Sequence, residues 1–119
     1  MKMIMKKFMK GFVYAFRGLV KGVCEELNMM LHLVAAAVVT IVGLYVGLEQ
    51  WEWVAVVLSM GLVLSLELLN TAVEGLVDMI SPEWSEKAGR IKDFAAGAVL
   101  VAALAALVVG VLVFGPKFF

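Results

Sequence analysis

The chain has one cysteine, Cys24, and one histidine, His32. A lone thiol excludes a disulfide framework and any cysteine metal motif, and a lone imidazole excludes a multi-histidine metal centre. Ten basic residues balance ten acidic ones, so the basic excess that nucleic acid demands of a partner is missing. Gly-rich phosphate loops, GxSxG elbows, internal repeats and low-complexity linkers are also absent from the sequence. Above all, charge is scarce. The composition is 64% hydrophobic with a mean hydropathy of +1.03, and the uncharged runs are too long for the core of a soluble domain of 119 residues. The sequence is that of an all-α integral membrane protein.

Three spans are expected, at residues 29–48, 53–73 and 94–116, each near the ~20 residues that cross the hydrocarbon. They follow an interfacial segment, residues 1–26, within a single domain covering residues 1–119. In that first segment Ile4, Met5, Phe8, Met9, Phe12, Val13, Phe16, Leu19 and Val20 occupy one half of a helical wheel. Lys6, Lys7, Lys10, Tyr14, Arg17 and Lys21 occupy the other. This is an amphipathic surface helix for an anionic membrane face, and no small-residue cleavage site follows its basic start. If the helix runs on, Glu26 falls among the apolar residues and needs a partner there.

Positive charge sets the expected topology. Lysines and Arg17 precede the first span, Lys87, Arg90 and Lys92 lie between the second and third, and the Glu49–Glu52 turn has none. The N-terminus and the second loop, Ile80 to Asp93, are therefore expected to be cytoplasmic. Trp51 and Trp53 read as an interfacial anchor in the first turn, and Pro82 as the stop after the second span. Ala98, Ala102, Ala106 and Gly110 recur every fourth residue and suggest close helix packing.

The informative stretch is Glu67 to Asp78. At about 100° per residue, Glu67, Asn70, Thr71, Glu74 and Asp78 share one stripe of a helix. A charged side chain at bilayer depth costs at least ~2.5 kcal/mol, which makes such a stripe a functional-site candidate by default. Three helices are too few to enclose it, so an oligomer is expected. Glu26, Lys92 and Asp93 fall at the same cytoplasmic edge. Clustered carboxylates suit a hard cation such as Mg²⁺ together with phosphate oxygens, and Lys92 suits a phosphate. Glu67 and Glu74 are two turns, ~10.5 Å, apart along the axis and so should have different jobs. Glu74, the shallower, suits the metal, and Glu67, the deeper, suits a general base. Taken alone, the stripe fits a membrane phosphotransferase or an intramembrane proton or cation pathway, and a purely structural polar seam is a third reading. Acids confined to the cytoplasmic half disfavour a through-path.

Glu67-Leu-Leu-Asn70-Thr71-Ala72-Val73-Glu74, then Val77-Asp78, then Lys92-Asp93 with Ala95-Ala96-Gly97-Ala98-Val99-Leu100, resemble the signature of the prokaryotic diacylglycerol kinase and undecaprenol kinase family. The likeness runs from Phe12 to the Gly115-Pro116-Lys117 ending, and Asn28-x-x-x-His32 is more similar to the Gram-positive undecaprenol kinase branch. The resemblance implies a domain-swapped homotrimer in a bacterial cytoplasmic membrane, transferring the γ-phosphate of Mg-ATP to a lipid alcohol, either undecaprenol or diacylglycerol. It implies Glu67 as the base, Glu26 and Glu74 as metal ligands, and Lys7, Tyr14, Glu26, Asn70, Glu74, Glu83, Ser85, Lys92 and Asp93 around the nucleotide. It further implies Gly11, Phe16, Asn28, His32 and Glu67 on the lipid side. Leu27, Met30 and Trp84-Ser85 stand where the family commonly has Arg, Arg and Tyr-His.

Overall fold

A computed structural model describes all residues 1–119. It contains four helices and no strand: α1 (Lys2–Glu25), α2 (Leu27–Val46), α3 (Gln50–Ile80) and α4 (Glu86–Phe118). The last three are each long and apolar enough to cross a membrane.

On α1, Phe8 and Phe12 meet edge to face at 5.1 Å on the apolar side, while the Arg17 guanidinium sits 5.7 Å over the Tyr14 ring on the polar side. The helix does not run on through Glu26, as a continuous wheel would have it. Glu26 is extended (φ −111°, ψ 117°), so the chain turns there and α2 begins at Leu27. Seen whole, the molecule is a plate of 50 × 47 × 22 Å. A helix of 31 residues accounts for ~46 Å of one long dimension, and the other needs α1 splayed sideways from the bundle.

Two close approaches fix the angles between elements. Gly22, the one buried residue of α1, lets α3 pass: a Cβ there would lie 2.8 Å from Leu68 Cδ2. Met29, 2% exposed, fills the corner beside it. At the far end of α2, a Cβ on Gly43 would come within 2.8 Å of the Trp53 ring. Gly47 (φ 74°) then takes the left-handed conformation that ends α2, which its missing Cβ allows. Trp51 and Trp53 do not form the turn itself. They lie in the first turn of α3, because Glu49 and Glu52 close a reciprocal capping box one residue earlier.

Likewise, the loop expected at Ile80 to Asp93 is far shorter. Only Ser81 to Ser85 leave helical structure, and α4 starts at Glu86, with Ser85 Oγ accepting from Ala88 N at 3.1 Å. Charged residues mark where the membrane ends, but nothing in them ends a helix.

Ion pairs at both ends show that α3 and α4 are antiparallel: Asp78 with Lys92, and Glu52 with Lys117. Their contact is a seam with alternating four- and three-residue steps. Glu52, Val56, Val63, Glu67, Asn70 and Val77 are buried on α3, and Ala88, Val99, Ala102 and Val113 on α4. That rhythm is the one of paired helices crossing at a shallow angle. Ala98 faces outward and lies off this seam, because a strict four-residue repeat drifts round a helix of 3.6 residues per turn. The seam on α3 is thus the same stripe that carries the carboxylates.

Candidate functional site

Of the candidate residues, Glu67 is the most deeply placed. It is 4% exposed, and its Oε2 lies 3.6 Å from Nε2 of His32 on α2. One turn further, Asn70 donates through Nδ2 to Glu74 Oε1 at 3.1 Å, while its own Oδ1 is buried without a hydrogen-bond partner. A buried amide oxygen left unpaired costs ~1–3 kcal/mol, so its persistence in a helix seam asks for an explanation.

Beyond Glu74, Lys92 Nζ and Asp78 Oδ1 pair at 2.6 Å across the start of α4. Twenty residues counted from Trp53 reach Ala72, so Glu67 lies within hydrocarbon depth and Glu74, Asp78 and Lys92 lie at or beyond its edge.

Glu26 reaches this end from the other side. Together with Lys21, Gly22, Glu25, Leu68 and Thr71 it lines a cleft of about 600 Å³ between α1 and α3. Thr71 is four residues after Glu67 and three before Glu74, so the cleft opens beside the stripe. The helix break at Glu26 therefore stands beside the polar face of α3.

The structure brings together His32 with Glu67, Asn70 with Glu74, and Glu26 with Thr71. It does not draw in every expected residue. Lys7 and Tyr14 lie ~29 and ~18 Å along α1 from Glu26, and both are exposed, as are Gly11, Phe16, Asn28 and Asp93. Ser85 spends its oxygen on the cap of α4, and the backbone oxygen of Glu83 accepts from Ser81 Oγ at 3.0 Å. Thr71 belongs to the expected stripe, whereas Gly22 and Leu68 were not among the expected site residues. Their signal was available in the Gly18-x-x-x-Gly22 spacing, which marks a face another helix can approach.

No three of the chain's His, Cys, Asp and Glu side chains converge into a closed metal cage. Mg²⁺ does not require one, since it commonly binds one or two carboxylates and completes its shell with water and substrate phosphate. The partly exposed Glu74 carboxylate, steadied by Asn70 Nδ2, is an oxygen donor of that kind and fits the ion.

A second cavity of about 600 Å³ runs along the bundle between α2, α3 and α4. It extends from His32 past Val63 and Ala106 to Phe118 and is almost wholly apolar. The chain thus presents a polar edge rich in carboxylates and, below it, a groove suited to hydrocarbon.

The sequence is similar to those of known proteins. Residues 13–114 match the family described as prokaryotic diacylglycerol kinase. An undecaprenol kinase of Bacillus subtilis is 42% identical over 113 residues, which is 95% of this chain and 92% of that protein. A diacylglycerol kinase of Synechocystis sp. is 38% identical over 84% of this chain and 58% of its own length. One of Escherichia coli is 29% identical over 86% of this chain and 84% of its own.

Proposed function

Because the chain belongs to the prokaryotic diacylglycerol kinase family, we propose that Glu67 is the general base of a lipid kinase site whose metal and nucleotide ligands are Glu26, Glu74, Asn70, Lys92 and Asp93. The protein is a bacterial membrane lipid kinase with ATP as phosphate donor. The observation that carries the site reading is the buried stripe itself: an acid at hydrocarbon depth, then an amide with an orphaned oxygen, then a second acid at the membrane edge.

In this reading Glu67 takes the proton of the acceptor hydroxyl as its oxygen attacks the γ-phosphorus and ADP leaves. Burial in an apolar setting suits such a base, because water does not compete for the carboxylate. Glu74, held by Asn70, and Glu26, at the break between α1 and α2, would hold Mg²⁺. When bound, Mg²⁺ neutralises charge on the transferring phosphates. Lys92 rests on Asp78 and is at the right depth to exchange that partner for a phosphate. Lys7, Tyr14, Glu83 and Ser85 complete the nucleotide side, and Gly11, Phe16, Asn28 and His32 the lipid side.

The acceptor we favour is undecaprenol, on the strength of the 42% identical relative of that name. Diacylglycerol is the runner-up. The decisive measurement is radiolabelled transfer from ATP to the two lipids, presented in parallel in mixed micelles. Transfer to neither would overturn the reading. An ion pathway has nothing to run along, because α3 carries no acid between Glu52 and Glu67.

We also read the active form as a domain-swapped homotrimer with its N-terminus and the α3–α4 loop in the cytoplasm. The support is physical: α2 and α4 leave an apolar groove open between them, and one protomer leaves Glu74 partly exposed. Native mass spectrometry in detergent should give three times 12.9 kDa, and a monomer alone would sink the assembly.

A further inference from the structure

Glu67 has no hydrogen bond within the chain, and His32 is the one basic group within 4.0 Å of it. The two differ in what they face. His32 lines the apolar groove, with about a third of its side chain exposed, whereas Glu67 lines neither cavity. The imidazole therefore stands between the buried acid and the space that accepts hydrocarbon.

The backbone that carries the ring is held at two points. Met29, His32, Ala36, Val39 and Gly43 form the face of α2 that packs inward, with Met29 and Gly43 buried at its two ends. Those ends are pinned by the close approaches at Gly22 and Trp53. Glu67 is buried by packing, yet its carboxylate has no hydrogen bond and only His32 as a charged neighbour. At 3.6 Å the pair is within ion-pair range and longer than a hydrogen bond, as catalytic contacts often are before substrate arrives.

We infer that His32 is a positioning residue for Glu67: its Nε2–H holds Oε2 of the carboxylate and leaves Oε1 free for the proton of the lipid hydroxyl. This rests on the reading of Glu67 as the base. It goes beyond a lipid contact for His32, which would act on acceptor affinity alone. A carboxylate oriented by a fixed donor spends less of its time in unproductive rotamers, so the effect belongs in turnover. Outer partners that orient metal ligands carry about 10–100-fold in activity, and an effect of that order is expected for a partner that orients a base.

The test uses the full-length protein in mixed micelles with saturating lipid and Mg-ATP. His32→Leu should lower kcat about 10–100-fold with the KM for ATP unchanged, and free imidazole should restore part of the loss. His32→Gln, which keeps an N–H donor, should retain most of the activity. In a Glu67→Asp background, where the shorter acid no longer meets the ring, His32→Leu should cost little more.

Equal activity of the Leu and Gln variants, an equal cost in both backgrounds, or a change confined to the lipid KM would each overturn the proposal while leaving Glu67 as the base. Near-normal turnover of Glu67→Gln would instead remove the base reading, and this inference with it.

Discussion

The two ends of the α3–α4 pair are built from the same ingredients and finished differently. At one end every charge is answered. Glu52 accepts the backbone N–H of Glu49 at 2.9 Å and pairs with Lys117 at 3.1 Å, and Glu49 in turn accepts the Trp51 indole N–H at 2.9 Å. At the other end the polar groups are only half answered. Asn70 Oδ1 has no partner, Glu67 has a histidine at 3.6 Å, and Lys92 has the exposed Asp78. Both ends bury a glutamate to a similar degree, 6% exposed for Glu52 and 4% for Glu67, so burial alone does not separate them. Completion does. A closed network fastens helices, whereas an incomplete one in a packed seam keeps coordination sites free for a ligand.

That contrast can be broken most severely at Glu67. Glu67→Gln should cost on the order of 10²–10⁴-fold in phosphate transfer while nucleotide binding persists, read by turnover beside equilibrium binding of a labelled ATP analogue. Loss of binding in parallel would make Glu67 a ligand and not a base. Next in size, Glu74→Gln removes one charge from the oxygen donor set. It should raise the KM for Mg-ATP about tenfold or more, partly recovered at high Mg²⁺.

The opposite end should respond in stability. Lys117→Met leaves Glu52 without its cation and should lower the thermal midpoint in detergent by several degrees, with turnover per folded molecule unchanged. If turnover fell as far as in Glu74→Gln, the division between a fastening end and a working end would be wrong. The smallest effect is expected at Gly22→Ala. Ala gains roughly 1 kcal/mol over Gly in a helix. The clash is with the tip of a flexible leucine, whose displacement costs about as much. Near-neutral stability in a melt would fit, and a loss of several kcal/mol would show that Leu68 cannot move.

Much of the fold was legible in the sequence because the bilayer simplifies the problem: spans announce themselves by the absence of charge, as around Val56 and Val63. The acidic stripe was equally plain, since Glu67, Asn70 and Glu74 keep helical spacing. Helix ends were not legible. Lys87, Arg90 and Lys92 read as loop because charge reports the membrane boundary, while the cap that starts α4 depends on a single Ser85 hydroxyl. The break at Glu26 left no mark at all, with neither Gly nor Pro beside it. His32 was expected on the lipid side. Its approach to Glu67 depends on the α2–α3 crossing, and that angle is set by tertiary packing at Gly22, Gly43 and Trp53, beyond anything a helical wheel contains.

The break at Glu26 also makes α1 a lever whose fulcrum is a proposed metal ligand. A swing of ~10° about that point displaces Tyr14 by ~3 Å and Lys7 by ~5 Å, given their ~18 and ~29 Å arms, yet leaves the Glu26 carboxylate almost where it was. Lateral pressure or a change in headgroup packing that tilts α1 would thus move the proposed outlying nucleotide contacts while sparing the proposed ligand of the ion.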